Sequence, residues 1–420
     1  MRSEAPAPTL ALMTRTATPR RGDLRVLIAG AGVAGLEAAL ALRELAGERV
    51  EVELLSAEPY FFYRPLSVVE PFRPGSVPRR EIGALARAAG AVVTLGELVS
   101  LDAGSHVARL TSGSELPYDA IVLTFGALPR PAVPGAVSFR GPADVDRVRD
   151  VLAEIDRGEV RRLVFAVPSG VVWPLPLYEL ALLFSAELER KDVPAELTLV
   201  TSEPAPLALF GGPASGAVAA LLRERGVRVL TSAYAQNVTP EGLVLDPRHG
   251  FVAADRVLAL PRLAAPEIEG VPRDRSGFVP TDPHGRVPGL PDVYAAGDLT
   301  SFPIKQGGLA AQQADAAAEA IVAPLVGREP RPFRPVLRAL LLTGGRRAYL
   351  QVAPTGGSGE TSTAAEEPLW RPAGKIAGKY LAPFLAELGV IDDVEEADDL
   401  DQPLRVELDA SFGALEPALD

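Results

Sequence analysis

The stretch from Leu24 to Leu42, LRVLIAGAGVAGLEAALAL, constrains the fold more than any other part of this chain. An apolar run of strand length enters Gly30-x-Gly32-x-x-Gly35 and passes at once into an Ala/Leu-rich run of helical character. In a strand–turn–helix of this kind the first glycine permits the tight turn, and the second lets a pyrophosphate approach the backbone. The third lets helix and strand pack closely. The phosphates then meet unpaired N–H groups at the positive end of the helix. Gly30, Gly32 and Gly35 are therefore expected to hold a dinucleotide. The next strand, Glu51-Val-Glu-Leu-Leu-Ser56, would commonly end in an acidic ribose clamp. Here Ser56 takes that place, with Glu58 just beyond it.

Strand, turn, helix, strand over Leu24–Glu53 predicts a parallel βαβ unit. Strand-like runs follow at Val92–Leu95, His106–Leu110 and Ala120–Thr124, and Pro129, Pro131 and Pro134 form a connector. A second block begins near Asp144 with a helix to Ile155. It continues with a strand at Leu163–Val167, a helix around Tyr178–Arg190, a strand at Leu197–Thr201, a helix at Ser215–Arg225 and a strand at Val227–Leu230. The two halves read as approximate repeats of one dinucleotide-binding unit. An Ala-rich helix after Asp298 runs to about Val322, and an amphipathic stretch, Lys375–Leu388, closes a smaller block.

The expected class is α/β, with two Rossmann-like domains and a small C-terminal domain. Residues 23–135 and 275–328 form the first, discontinuous domain, and 136–274 the second. Residues 329–390 form the C-terminal interface domain, flanked by a disordered leader at 1–22 and an acidic tail at 391–420.

That tail holds eleven carboxylates against Arg405, so it carries −10 of the formal charge of −12. The body is near neutral and offers no basic face to nucleic acid. There are no cysteines, which excludes disulfides, thiolate zinc sites, iron–sulfur clusters and a redox-active cysteine pair. His106, His249 and His284 stand in polar turn contexts, so no metal site is expected. The leader lacks the apolar core of a Sec or Tat signal, and a cytoplasmic location is expected. Leu163–Phe184 is apolar, but Pro168, Pro174 and Pro176 interrupt it and Glu179 would be buried in lipid, so no transmembrane span is expected.

Two further motifs bear on which dinucleotide is bound. Tyr118-Asp-Ala-Ile-Val-Leu-Thr124-Phe-Gly126 and Leu290-Pro-Asp-Val-Tyr-Ala-Ala-Gly297-Asp298 are strands ending in small turns. With the first glycine turn they are similar, in order and spacing, to the three fingerprints of flavoproteins with two dinucleotide-binding domains. Over roughly residues 24–330 the chain resembles the family of type II NADH dehydrogenases, sulfide:quinone reductases and flavocytochrome c sulfide dehydrogenase flavoproteins. Glu58-Pro-Tyr-Phe-Phe-Tyr-Arg64-Pro65 adds to the likeness. The resemblance implies FAD as cofactor, with Arg64 in a segment beside the flavin. It also implies that Asp298 bonds the ribityl or pyrophosphate region, and that the helix opened by Lys305-Gln306 points at the flavin. A helix N-terminus plus a lysine would stabilise the anionic reduced flavin, which makes Lys305 a candidate catalytic residue.

The second half departs from the NADH-using members. Phe165-Ala-Val-Pro-Ser-Gly170-Val-Val-Trp173-Pro-Leu-Pro-Leu-Tyr-Glu179 keeps one glycine of the turn, the strand Leu197–Thr201 ends in Thr201, and Pro261 replaces a Thr-Gly turn. Glu203 lies nearby and keeps NAD(P)H binding open. These departures resemble the sulfide:quinone reductase branch, in which Trp173 would stand at a catalytic cysteine. Without cysteine that branch's sulfide chemistry is excluded. Trp173 then either stacks near the flavin or packs in the core, and Glu179 either relays protons or caps its helix.

The expected function is an FAD-dependent oxidoreductase that passes electrons from a small donor to a quinone or protein acceptor. Two alternatives stay open: an NAD(P)H:quinone or acceptor reductase, and a non-catalytic flavin-bearing electron-transfer or scaffold subunit. The Lys375–Leu388 stretch is compatible with weak peripheral membrane contact, with walling the flavin, or with a homodimer interface.

Overall fold

The computed structural model describes residues 24–391, apart from 172, 247–249, 346 and 355–359, together with the backbone of 406–410. Two parallel sheets carry the architecture. The first has the strand order Val293–Ala295, Ala120–Leu123, Leu24–Ala29, Val50–Ser56, Val92–Leu95, parallel throughout. Leu24–Ala29 and Ala120–Leu123 are near-continuous apolar runs because both faces of the sheet are covered, whereas Val50–Ser56, next to the edge, alternates Val with Glu at its start. Helix α1 (Val33–Ala46) follows the glycine turn and α2 (Ile82–Ala88) leads into the edge strand.

The second sheet repeats the pattern as Val137–Ser138, Arg256–Ala259, Arg162–Val167, Glu196–Thr201, Val227–Leu230, again all parallel. Its helices are α3 (Val145–Asp156), α4 (Leu175–Lys191) and α5 (Gly212–Glu224). Helix α4 starts three residues ahead of the expected position. Pro176 sits in its first turn, where a missing N–H costs no helical bond. Leu163–Phe184 thus divides into strand, loop and helix, and no helix among the described residues is long and apolar enough to cross a membrane.

The chain leaves the first domain and returns to it side by side, with Leu128–Arg130 antiparallel to Arg262–Ala264. On its return it adds Val293–Ala295 to the first sheet and then forms α6 (Gly307–Val326). Ala34, Ala38 and Ala41 of α1 and Ala310, Ala314 and Ala317 of α6 are all buried between these two helices and the sheet. Alanine combines the best helix propensity with the smallest side chain that permits close approach.

The C-terminal block is a four-stranded antiparallel sheet, Leu337–Leu341, Ala348–Pro354, Glu360–Ala365 and Val406–Ala410, with the short helix α7 (Leu381–Glu387). Val406-Glu-Leu-Asp-Ala410 falls within the acidic tail, where its period-two alternation suits a strand. The rest of that tail beyond Ile391, the leader and His249 lie outside the described residues. Of the amphipathic stretch Lys375–Leu388, only the α7 portion is helical. The block is fused to both domains: Leu337, Leu341 and Leu350 join the core of the second, and Ile376, Leu381 and Leu385 join that of the first.

Candidate active site

Three residues, Gly30-Ala31-Gly32, separate the first strand from α1. Gly30 has φ +119°, and a Cβ there would meet the Thr124 carbonyl carbon at 2.5 Å. Its N–H donates to the Leu55 carbonyl at 2.8 Å, and the Thr124 hydroxyl donates to the Gly30 carbonyl at 2.7 Å. Glycine inside a helix costs about 1 kcal/mol relative to alanine, yet a Cβ on Gly35 would lie 1.9 Å from the Gly30 oxygen. That clash far outweighs the propensity cost. Gly32 is different, since no protein atom lies within 4 Å of its Cβ position. It precedes α1 with no side-chain cap and no acidic residue in the first turn. Open space beside uncapped helix N–H groups suits a pyrophosphate.

At the end of the next strand Ser56 is buried and donates to the Glu58 carbonyl at 2.7 Å, tying the turn. Glu58 and Arg64 are exposed. Gly126 takes φ +72° just after Thr124.

Gly297 (φ +87°) packs between Ala34 and Ala310, and its N–H donates to Gln313 Oε1 at 2.7 Å. This fixes Asp298 on the same side of the sheet as the glycine turn. No protein donor reaches the Asp298 carboxylate among the described residues. Burial raises its pKa, while the charges of Lys305 and Arg64 pull it back. A carboxylate in need of donors suits the hydroxyl-rich part of a dinucleotide.

Lys305 and Gln306 both make hydrogen bonds within the protein. Lys305 Nζ donates to the carbonyls of Thr300 and Phe302 and stands 3.8 Å from the centroid of the Phe278 ring. Burial lowers its pKa to about 8, against the pull of Asp298 and Asp274. Gln306 caps α6: its Oε1 accepts from Leu309 N at 2.8 Å and its Nε2 donates to the Arg338 carbonyl at 3.1 Å. Both side chains shape the loop that presents α6.

The corresponding turn of the second domain is built differently. Seven residues, not three, separate strand Arg162–Val167 from α4. Arg262 grips that loop, donating to the Ser169 carbonyl at 3.0 Å and to the Ser169 hydroxyl at 3.1 Å. Pro174 and Pro176 remove two of the N–H groups that would bind a phosphate. At the end of the neighbouring strand the Glu203 carboxylate already accepts from Tyr178 at 2.7 Å and from Thr201 at 2.9 Å. Burial raises the pKa of Glu203, which these two bonds oppose. The ribose-clamp position is thus internally satisfied.

Trp173 is partly buried and packs against Phe210, with ring centroids 6.0 Å apart. Glu179 does not cap α4. It is fully buried and accepts 2.6 Å hydrogen bonds from Lys375 Nζ at both carboxylate oxygens, and one from Leu342 N at 2.9 Å. Burial pushes the Glu179 pKa up and that of Lys375 down, while the mutual attraction opposes both. Next to Lys375, Ile376 donates its N–H to the buried Tyr63 hydroxyl at 3.0 Å and lies over Gly307 at the start of α6. This junction brings together Tyr63 of the Glu58–Pro65 segment, the α6 N-terminus, α4 and the C-terminal block. Lys375, Tyr63 and Gln313 were not legible as site residues from the sequence. The usable signal was Glu179 itself, because a carboxylate inside an apolar helix demands a cation from elsewhere.

The pyridine nucleotide-disulphide oxidoreductase family profile matches residues 24–320. A NADH dehydrogenase-like protein of Mycobacterium tuberculosis is 28% identical over 294 residues, 66% of this chain and 73% of that protein. The type II NADH:quinone oxidoreductase Ndh of the same organism is 26% identical over 390 residues, 82% of each. Among solved structures, the sulfide:quinone oxidoreductase of Aquifex aeolicus aligns with a TM-score of 0.74 at 20% identity, covering 88% of this chain and 96% of that one. A ferredoxin reductase from Rhodopseudomonas palustris aligns at 0.60 and 19%, covering 81% and 88%. The family match covers well over half the chain and takes in the Gly30–Gly35 turn, Thr124 and Asp298. The protein is an FAD-dependent oxidoreductase that belongs to the pyridine nucleotide-disulphide oxidoreductase family, although it has no cysteine.

Proposed function

We propose that the protein is a quinone reductase whose FAD takes electrons from a small donor other than a dinucleotide held in the second domain. The observation that carries this reading is the asymmetry of the two turns. The first is a three-residue glycine turn with open space at Gly32, and the second a seven-residue loop with Pro174 and Pro176 at the helix start. When bound, FAD supplies the two-electron redox chemistry. Gly30, Gly32, Gly35 and the α1 N-terminus would hold its pyrophosphate, Asp298 the polar chain beyond, and the capped α6 N-terminus the ring edge where negative charge collects.

Reducing a quinone to a quinol takes two electrons and two protons. One proton would travel with the electron pair; Lys375 Nζ, which Glu179 holds in its ionised form through 2.6 Å hydrogen bonds, can give the other to the developing quinol oxygen, and the neutral amine left behind is reprotonated from solvent. The relatives named for quinone oxidation and reduction support this acceptor class.

A second reading, an NAD(P)H:quinone reductase, is favoured by the names of the curated relatives. Anaerobic titration of the purified yellow protein separates the two. Slow or absent bleaching by NADH and NADPH, with rapid bleaching by a small reductant and recolouring by a quinone, supports the first. Rapid bleaching by NADH overturns its donor assignment. Reduction only by a protein partner would replace both with an electron-transfer subunit.

A further inference from the structure

Helices α1 and α6 pack together largely through alanine, and Glu37 brings a carboxyl into their core. Glu37 of α1 is fully buried, and the Asp315 carboxyl of α6 lies close enough to it for the two to be electrostatically coupled. Two coupled carboxylates in a dry core do not both ionise readily, so one proton stays between them. Glu37 also accepts from Tyr380 N at 2.8 Å and from Leu381 N at 2.7 Å, at the start of α7. An acceptor of two backbone N–H groups is favoured as the anion, which assigns the proton to Asp315. Asp315 Oδ1 is buried with no hydrogen-bond partner. Gly378 closes over the pair, since a Cβ there would lie 2.5 Å from Glu37 Oε2.

We propose that Glu37 and Asp315 share one proton and form a pH-sensitive clasp that holds the C-terminal segment, and with it Lys375, on the FAD-binding domain. Lys375 lies three residues before Gly378 and five before Tyr380, so releasing Glu37's hold withdraws the support of the Glu179–Lys375 pair. The charged and titratable groups around the clasp are few. On α6 stands Glu319, which is paired with Arg331 from the following loop. On the C-terminal side stand Lys379 and Tyr380, hydrogen-bonded to each other at 2.6 Å. Burial and the neighbouring Glu37 charge push the Asp315 carboxyl up to about 8, with Lys379 opposing.

The sign follows from proton counting. Between an ordinary carboxyl pKa of about 4 and about 8, the docked state holds a proton that the released state does not. The release constant therefore rises about tenfold per pH unit across that window and levels off above it. Amide hydrogen exchange of the holoenzyme from about pH 5 to about pH 9, corrected for intrinsic exchange rates, reads this directly. Peptides spanning 376–391 should show the rise and the plateau. Asp315→Asn keeps a donor toward Glu37 and cannot titrate, so its profile should be flat in these peptides. A pH-independent wild-type profile, or the same slope in D315N, overturns the clasp. Infrared spectra give a second readout. A protonated-carboxyl band at neutral pH that disappears above about pH 8 and is missing from D315N supports the proposal, and its absence from the wild type at neutral pH, or its persistence in D315N, overturns it. The clasp's effect on turnover rests on the quinone reading, whereas exchange and infrared data do not, so either can fail alone.

Discussion

Lys375 Nζ lies 2.6 Å from both carboxylate oxygens of Glu179, a bond that spans 196 positions of the chain. Both side chains are almost wholly inaccessible, at 6% and 0%. Removing one partner of such a pair strands a buried charge, which costs about 3–5 kcal/mol, whereas replacing both can be close to neutral. Lys375→Met should therefore lower stability by about that amount in denaturant unfolding. The double variant Glu179→Gln, Lys375→Met should recover most of it, because the new amide oxygen still accepts from Leu342 N. Quinone turnover should stay low in both. Turnover that recovers along with stability would show the pair to be structural only.

The three glycines of the first turn are expected to separate. Gly35→Ala would drive a methyl to 1.9 Å from the Gly30 oxygen, so the domain should express poorly or lose its flavin. Gly32→Ala meets no protein atom within 4 Å and has an ordinary φ of −82°. It should fold with an unchanged melting curve in the FAD-free form, yet bind FAD at least tenfold more weakly. Equal FAD affinity in Gly32→Ala would show that the space beside it is not the pyrophosphate site.

Lys305 is held by two backbone carbonyls, so its removal should act on the loop more than on the redox chemistry. Lys305→Met should weaken FAD binding and destabilise the protein by about 1–3 kcal/mol, while shifting the flavin potential little. Its lowered pKa of about 8 adds a pH signature. Between about 8 and the ordinary lysine value of about 10.5, the unfolded chain holds a proton that the folded one has lost, so wild-type stability gains a component that rises with pH. That component should vanish in Lys305→Met. A large shift of potential instead would place the ammonium against the flavin.

Gly378→Ala tests the clasp sterically. The added methyl would sit 2.5 Å from Glu37 Oε2, and this part of the chain must then lift away from α1. Proteolysis after Lys379 should accelerate at least several-fold while FAD absorbance is retained. Unchanged protease resistance would show that the segment is held without Glu37.

The first domain was legible because its determinants are local. Gly30, Gly32 and Gly35 sit next to the strand and helix they join, and their backbone requirements can be read from six residues. The loss of the second turn was equally plain at Pro174 and Pro176, since proline removes an N–H wherever the chain goes. The sequence also marked Trp173, Lys305, Gln306 and Glu179 as notable without revealing what they touch. A side chain's role depends on what lies across the fold, and neither propensity nor periodicity carries that information.

Sequence alone therefore determined the α/β class, the dinucleotide turn and the exclusion of cysteine chemistry, all of them consequences of residue type and near spacing. Only the tertiary structure decided that Glu179 meets Lys375, that Glu37 meets Asp315 and α7, and that Lys305 is tied to its own loop. Those pairings arise where separate elements bury polar groups together. In a dry interior every charge must find a partner, however far along the chain that partner lies.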